Sequence, residues 1–168
     1  ARAQNNLGTA YYNGTGVNKD IERALYWYTL SAEQNFPLSF RNLGSIYLTE
    51  FNDAEKAIKY YELAIEHKNY FAAWDLSYLY QEGAPGVEVT EKLAFKWMLL
   101  GAENFNKLAQ FRVSRMYLDG YGTEVDEVES TIWLIRAFNR PVIEEDPEWL
   151  QEEIKKELAF RYYWGIGL

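Results

Sequence analysis

The stretch LGTAYYNGTGV at residues 7–17 recurs along the chain, and this recurrence decides the fold. Related stretches are LGSIYLTE at 43–50, LSYLYQEGAPGV at 76–87, VSRMYLDGYGTEV at 113–125 and LAFRYYWGIGL at 158–168. Their first residues are 36, 33, 37 and 45 positions apart, in the range of helical repeat arrays. The sequence therefore predicts stacked repeats with corresponding apolar positions at Leu7, Leu43, Leu76, Val113 and Leu158.

A second pattern follows each of the first four stretches and predicts a second helix in each repeat. It reads ERALYWYTLSA at 22–32, EKAIKYYELAI at 55–65, EKLAFKWMLLGA at 91–102 and ESTIWLIRAF at 129–138. A small residue precedes an aromatic residue by three positions each time, which places both on one helical face. We name the two helices of a repeat helix A and helix B, and expect their periodic aromatic residues in the core: Tyr11, Trp27, Tyr47, Tyr80 and Tyr117.

The turn between helix A and helix B contains glycines that could belong to a phosphate-binding loop or to a structural joint. Gly14 and Gly16 follow helix A, whose end exposes carbonyl groups of the wrong polarity for phosphate. A dinucleotide loop also needs a preceding strand and a further glycine. The glycines are therefore expected to supply left-handed backbone. The residues expected to cap the following helices B are Asp20, Asp53 and Thr90.

Composition narrows the function classes. The 168 residues carry a net charge of −8, and residues 119–157 hold 12 acidic against 4 basic side chains, so we expect no nucleic-acid partner. No apolar run reaches the roughly 20 residues of a membrane span, so we expect no membrane insertion. Cysteine is absent, which excludes disulfides and thiolate metal sites. The chain starts within a predicted helix, and we expect it to be a fragment of a longer protein.

The first repeat resembles the Sel1-like repeat, a relative of the tetratricopeptide repeat. The family pattern A-x-x-x-L-G-x-x-Y-x-x-G-x-G-V-x-x-D-x-x-x-A-x-x-W is matched by Ala3, Leu7, Gly8, Tyr11, Gly14, Gly16, Val17, Asp20, Ala24 and Trp27. The resemblance implies an all-α, right-handed solenoid superhelix of antiparallel helix pairs with helix A lining a concave surface. It also implies an adaptor that binds proteins. Many members are bacterial and exported or envelope-associated, so that localisation is an expectation from the resemblance alone.

We expect one domain over residues 1–168, with four repeats and a terminal half-repeat. The repeats are placed at about 1–36, 37–69, 70–106 and 107–140, followed by a connector at 139–147 and the fifth helix A at 147–168. Asp146, Pro147 and Glu148 are residues suited to a helix start. The last helix would leave Tyr162, Tyr163 and Trp164 uncovered, so either the chain continues or two copies associate through this end.

No residue pattern indicates an active site. His67 has no histidine partner and is interpreted as a surface or helix-terminal residue. The acidic residues between 119 and 129 lack the ligand spacing and central glycine of a calcium loop. We therefore expect neither an enzyme nor a bound metal or cofactor.

Residues of helix A outside the packing positions are the candidates for a binding groove. We call equivalent positions of successive helices A a column. The first column lies two residues before the leading apolar position and the second two residues after it, on one helical stripe. A third column lies one turn further on. We expect the groove to be formed by Asn5, Thr9, Tyr12, Arg41, Ser45, Phe71, Trp74, Tyr78, Phe111 and Arg115. The aromatic residues would supply contact area, and Arg41 and Arg115 would bind carboxylates or backbone carbonyls.

Two alternatives remain open from the sequence. The aromatic residues of these columns could instead pack between adjacent helices. The function could also be that of a glycan- or peptidoglycan-binding module of a bacterial envelope or secreted protein, with the same aromatic rings stacking on sugars.

Overall fold

The structure, a computed structural model of the chain, describes residues 1–104, 106–142 and 146–167. Within these ranges it contains nine α-helices and no strand. In chain order they are α1 (Arg2–Asn13), α2 (Ile21–Ala32), α3 (Pro37–Thr49), α4 (Ala54–Glu66), α5 (Phe71–Glu82), α6 (Glu91–Glu103), α7 (Lys107–Asp119), α8 (Glu127–Asn139) and α9 (Leu150–Trp164). The odd-numbered helices are helices A and the even-numbered ones helices B, which confirms the predicted all-α fold of helix pairs.

The chain divides into two compact units, Ala1–Glu88 with α1 to α5 and Val89–Leu168 with α6 to α9. Within each unit, successive helices pack on one another. The pair α1 and α2 is antiparallel, because Ser31 near the end of α2 donates to the carbonyl oxygen of Ala1 at 2.8 Å, whereas Asp20 before α2 donates through its backbone N–H to Tyr11. The division falls in the loop between α5 and α6, inside the predicted third repeat.

Close contact between helix A and helix B depends on a glycine in each of the first two repeats. A Cβ atom added at Gly8 would lie 2.7 Å from the ring of Tyr28, and one added at Gly44 would lie 2.7 Å from the ring of Tyr61. Real Cβ atoms do not approach other atoms so closely, so only glycine lets these rings lie against helix A. The predicted role of the small residue in helix A is thus seen here.

The predicted core residue of helix B differs from the most buried one in the first repeat. Trp27 is only half-buried, as are the periodic tyrosines of helix A, whereas the corresponding Trp133 of the fourth repeat is buried. The positions that are buried in all four repeats lie four residues after the small residue of the pattern, at Tyr28, Tyr61, Met98 and Leu134. Positions three and four residues along a helix share a face, so the pattern found the correct face but chose the wrong one of two neighbouring residues.

The turns follow the predicted chemistry with one exception. Asp20 accepts from the backbone N–H of Arg23 at 2.9 Å and Asp53 from that of Lys56 at 3.0 Å, as expected of N-caps. Thr90 occupies the N-cap position of α6, but its side chain makes no cap hydrogen bond. Gly14 has φ 71° and ends α1 in the left-handed conformation.

The last helix begins later than predicted. Asp146, Pro147 and Glu148 precede it, and the backbone N–H of Leu150, its first residue, donates to the carbonyl oxygen of Pro147 at 2.9 Å. Residues 143–145 of the predicted connector and Leu168 lie outside the described ranges. The aromatic side chains of Tyr162, Tyr163 and Trp164 are exposed on the described part of this helix. Association of two copies through this face stays a prediction.

Candidate functional site

The first predicted groove column, two positions before the leading apolar residue, includes Asn5 and Phe111 and joins consecutive helices A. Asn5 is 2% exposed, and its side-chain oxygen accepts from Ser39 at 3.1 Å and from Asn42 at 2.9 Å, both on α3. Phe111 is also buried, in a cluster that includes Leu134 and Leu150. Phe111 therefore packs between helices, as the alternative interpretation of the aromatic residues allowed. Asn5 was predicted to line the groove but is buried between α1 and α3, and neither side chain offers surface to a partner.

Thr9 and Ser45 belong to the second column, two positions after the leading apolar residue, and they contact buried tyrosines of helix B. The hydroxyl of Tyr28 donates to Thr9 at 3.0 Å, and the hydroxyls of Tyr61 and Ser45 lie 3.3 Å apart within hydrogen-bond distance. A buried phenol needs such a partner, because an unpaired buried hydroxyl destabilises the fold. Thr9 and Ser45 thus join helix A to helix B inside their own repeats.

Arg41 has a carboxylate partner within the first unit. Its guanidinium makes two hydrogen bonds to Asp75 on α5, with Nη2 at 3.0 Å from Oδ1. The Arg41 side chain is one-third exposed and that of Asp75 less. The guanidinium also lies over the ring of Phe71, 6.0 Å from its centroid. A forked pair of this kind neutralises both charges and fixes both side chains.

A cavity of about 270 Å³ lies beside this ion pair. Trp74, Tyr78 and Glu82 line it from α5, where their spacing of four residues places them on one stripe. Tyr78 is 57% exposed although its ring is apolar. We call this cavity the Tyr78 pocket, and its full lining is Leu48, Tyr61, Trp74, Asp75, Tyr78, Leu79, Glu82 and Gly83.

A corresponding cavity of about 400 Å³ occurs in the second unit. Leu118 lies five residues after Val113, as Leu48 does after Leu43, and Phe160 lies two residues after Leu158, as Tyr78 does after Leu76. Phe160 is 56% exposed, nearly the same as Tyr78. We call this cavity the Phe160 pocket, and its full lining is Arg115, Leu118, Glu153, Lys156, Glu157, Phe160, Arg161 and Ile166.

The Phe160 pocket also contains an ion pair between consecutive helices A. Arg115 on α7 lies 3.3 Å from the carboxylate of Glu157 on α9. Glu157 occupies the position of Asp75, one residue before the leading apolar residue. Arg115 is therefore paired within the protein, as Arg41 is, and both arginines hold neighbouring helices A together.

Tyr12 and Phe71 keep accessible surface in the first unit. The Tyr12 hydroxyl lies 3.3 Å from that of Thr49, and the amino group of Lys19 lies over the Tyr12 ring at 5.4 Å from its centroid. Phe71 is about half exposed. Neither residue lines one of the two pockets.

Burial changes the acidity of Tyr61 in the wall of the Tyr78 pocket. Desolvation is the main cause that raises its pKa to about 12, the nearby negative charge of Asp75 adds to it, and the hydrogen bond with Ser45 and the charge of Arg41 oppose it. The hydroxyl is neutral at physiological pH, as that of an ordinary tyrosine is, and the raised pKa extends this neutral range to about pH 12.

The raised pKa of Tyr61 predicts alkaline instability. The unfolded chain ionises this tyrosine near pH 10 and the folded chain near pH 12, so the folding free energy it contributes is lost as pH rises between these values. Two pKa units correspond to about 3 kcal/mol. Denaturant unfolding of Tyr61→Phe should therefore depend less on pH above 10 than that of the unaltered protein. Identical alkaline slopes would contradict this.

Among the described residues, no group of three histidine, cysteine, aspartate or glutamate side chains is placed to hold a metal ion. His67 stacks on Phe40 with ring centroids 4.9 Å apart, which gives it a packing role at the end of α4. No described helix is sufficiently long and apolar for a bilayer crossing.

The family follows from comparison with known repeats. The Sel1 repeat model matches residues 1–36, 41–69, 71–104 and 107–140. The chain belongs to the Sel1 repeat family. It is similar to the Sel1-like repeat-containing protein L21 of Acanthamoeba polyphaga mimivirus, with 32% identity over 127 residues. That alignment covers 74% of this chain and 22% of the viral protein, so the chain spans about a fifth of that relative.

A solved structure of the same family supports the helix-pair fold of this Sel1 repeat chain. The Sel1 repeat protein from Oxalobacter formigenes aligns with a TM-score of 0.78 and 28% identity, over 99% of this chain and 66% of that one. The predicted resemblance to Sel1-like repeats is confirmed by both comparisons.

Proposed function

We propose that this chain is a non-catalytic scaffold that binds peptide segments of partner proteins, with the Tyr78 pocket as the site in the first unit and the Phe160 pocket as the site in the second. Proteins with Sel1 repeats generally act as scaffolds in protein–protein interactions. The observation that carries the proposal is the recurrence of the pocket at corresponding positions of two repeats. Each pocket combines a leucine wall with an aromatic ring that is more than half exposed.

The energetics favour side-chain anchors. Large aromatic residues in pockets dominate interface hot spots because they offer much area for little conformational entropy. Cavities of about 270 and 400 Å³ accept single side chains rather than a folded domain. Arg41 and Arg115, already paired with carboxylates, contribute as supports of the pockets and not as receptors for a partner's charges.

Selection from a displayed library of random peptides tests the proposal. Peptides that are enriched should lose about 30-fold or more in affinity when Tyr78→Ala and Phe160→Ala are combined, which is the effect of removing a 2 kcal/mol hot spot. The control combines Tyr26→Ala and Phe51→Ala, because Tyr26 is 58% and Phe51 50% exposed outside both pockets. The control should change affinity less than threefold.

Two outcomes would overturn the proposal. One is the absence of any enriched peptide. The other is equal binding by the pocket variant and the control. Soluble peptidoglycan fragments form a parallel arm, and binding of these fragments without peptide binding would favour the glycan alternative instead.

A further inference from the structure

We infer that the Tyr78 pocket takes a cationic side chain, lysine or arginine, from the bound peptide. This inference rests on the proposed function and specifies the ligand class at one of its two pockets. The lining contains two carboxylates, Asp75 and Glu82, and three aromatic residues, Tyr61, Trp74 and Tyr78, but no basic residue. The sequence alone favoured the opposite preference, because Arg41 was expected to receive carboxylates.

The ion pair removes Arg41 as an anion receptor. Arg41 is not among the residues that line the pocket. Two of its N–H groups donate to the two oxygens of Asp75, so the charge of Asp75 offsets most of the positive charge that Arg41 brings near the pocket. An anionic side chain therefore gains little in this pocket.

Glu82 and the aromatic stripe are suited to a cation. Glu82 is exposed and has no ion-pair partner among the described residues. Trp74, Tyr78 and Glu82 follow one another at intervals of four residues on α5. Tyr78 and Glu82 are thus about 6 Å apart along the helix axis, so a side chain that lies over the Tyr78 ring can reach the Glu82 carboxylate. A lysine or arginine stem covers apolar rings while its charged end contacts the carboxylate, and the ring faces themselves attract cations.

The Phe160 pocket does not share this preference. Its lining mixes the basic residues Arg115, Lys156 and Arg161 with Glu153 and Glu157. Phe160 is its exposed ring, and no carboxylate follows Phe160 at an interval of four, because Trp164 occupies that position. The charge preference is thus specific to the first unit.

Fluorescein-labelled peptides selected as above provide the test. In one series, each lysine or arginine of the peptide is replaced in turn by norleucine, which keeps the apolar stem, and by glutamate. At one position of the peptide, replacement by norleucine should lower the affinity about tenfold, and replacement by glutamate should lower it further. At that position Glu82→Gln should weaken the lysine peptide about fivefold and leave the norleucine peptide unchanged. Glu66→Gln, which removes an exposed carboxylate on α4 outside the pocket, is the matched control.

The outcomes separate this inference from the proposed function. If peptides bind through Tyr78 but carry an acidic or apolar residue at the sensitive position, the charge preference is wrong and the scaffold proposal stands. The same holds if Glu82→Gln weakens the lysine and norleucine peptides equally. If no peptide binds, or if the combined Tyr78→Ala and Phe160→Ala variant binds every peptide as the control does, both are overturned. If Tyr78→Ala alone has no effect on any peptide, the charge preference is wrong.

Discussion

Replacement of Gly122 by alanine is expected to lower the free energy of unfolding by about 4 kcal/mol, whereas the same change at Gly165 should cost about 1 kcal/mol. Both residues have left-handed backbone, with φ of 70° and 66°, so the conformational cost is similar. The difference comes from contact. A Cβ atom at Gly122 would lie 2.1 Å from the carbonyl oxygen of Glu91, while one at Gly165 would meet nothing within 4 Å.

The clash at Gly122 has no easy relief. Glu91 is the first residue of α6, and the clashing atoms belong to its backbone, so α6 must move or the turn after α7 must open. Gly16 is the counterpart of Gly122 in the first repeat, and a Cβ atom added there would meet nothing within 4 Å, as at Gly165. Denaturant unfolding, followed by far-ultraviolet circular dichroism, measures the free energy of unfolding of the Gly122→Ala and Gly165→Ala variants. Equal losses at Gly122 and Gly165 would mean that the turn does not pack on α6.

Replacement of Arg161 by methionine is expected to cost about 4 kcal/mol, as is typical when one partner of a buried ion pair is removed. Arg161 is 2% exposed on α9. Its guanidinium donates to Ser130 at 2.9 Å and Thr131 at 3.0 Å, and it pairs with the carboxylate of Glu157. Methionine would fill much of the space but leave these hydroxyls and the carboxylate without the donor.

A second charge on the same helix provides the control for Arg161. Lys156 is three-quarters exposed and lies 3.8 Å from Glu153, so Lys156→Met should change stability by less than about 0.5 kcal/mol. Limited proteolysis should cut α9 faster in Arg161→Met than in Lys156→Met, because Arg161 joins α9 to α8. Similar unfolding midpoints and cleavage rates for the two variants would show that the buried network does not hold the last helix.

Local chemistry explains why the helix pairs could be predicted. The turn glycines supply left-handed backbone, and the N-cap aspartates bind the free amides of the next helix. Gly8 and Gly44 leave space for a ring of the neighbouring helix. Each of these requirements recurs with the period of the repeat. The sequence could not predict which residue of helix B is buried in the first repeat, because Trp27 and Tyr28 are adjacent aromatic residues near the same face. The absence of a side chain at Gly8 on the neighbouring helix leaves the space that the Tyr28 ring occupies.

The site was less predictable, since it depends on contacts between different repeats. Trp74 and Tyr78 were predicted as groove residues because they lie outside the packing positions of their own helix, and both line the Tyr78 pocket. The partner of Arg41 was missed, because Asp75 lies 34 residues away on the next helix A, and their contact depends on how the two helices are rotated. Phe160 was missed although it follows Leu158 by two residues, as Tyr78 follows Leu76.

The Tyr78 pocket as a peptide site is the central claim, and the indole resonance of Trp74 tests it most directly. The chain has six tryptophans, so nitrogen-15 spectra resolve few indole signals, and Trp74→Phe assigns the relevant one. Titration with a selected lysine-containing peptide should shift the Trp74 signal in a saturable manner and leave that of Trp27 on α2 unchanged. Saturable binding with an unshifted Trp74 signal would contradict the claim.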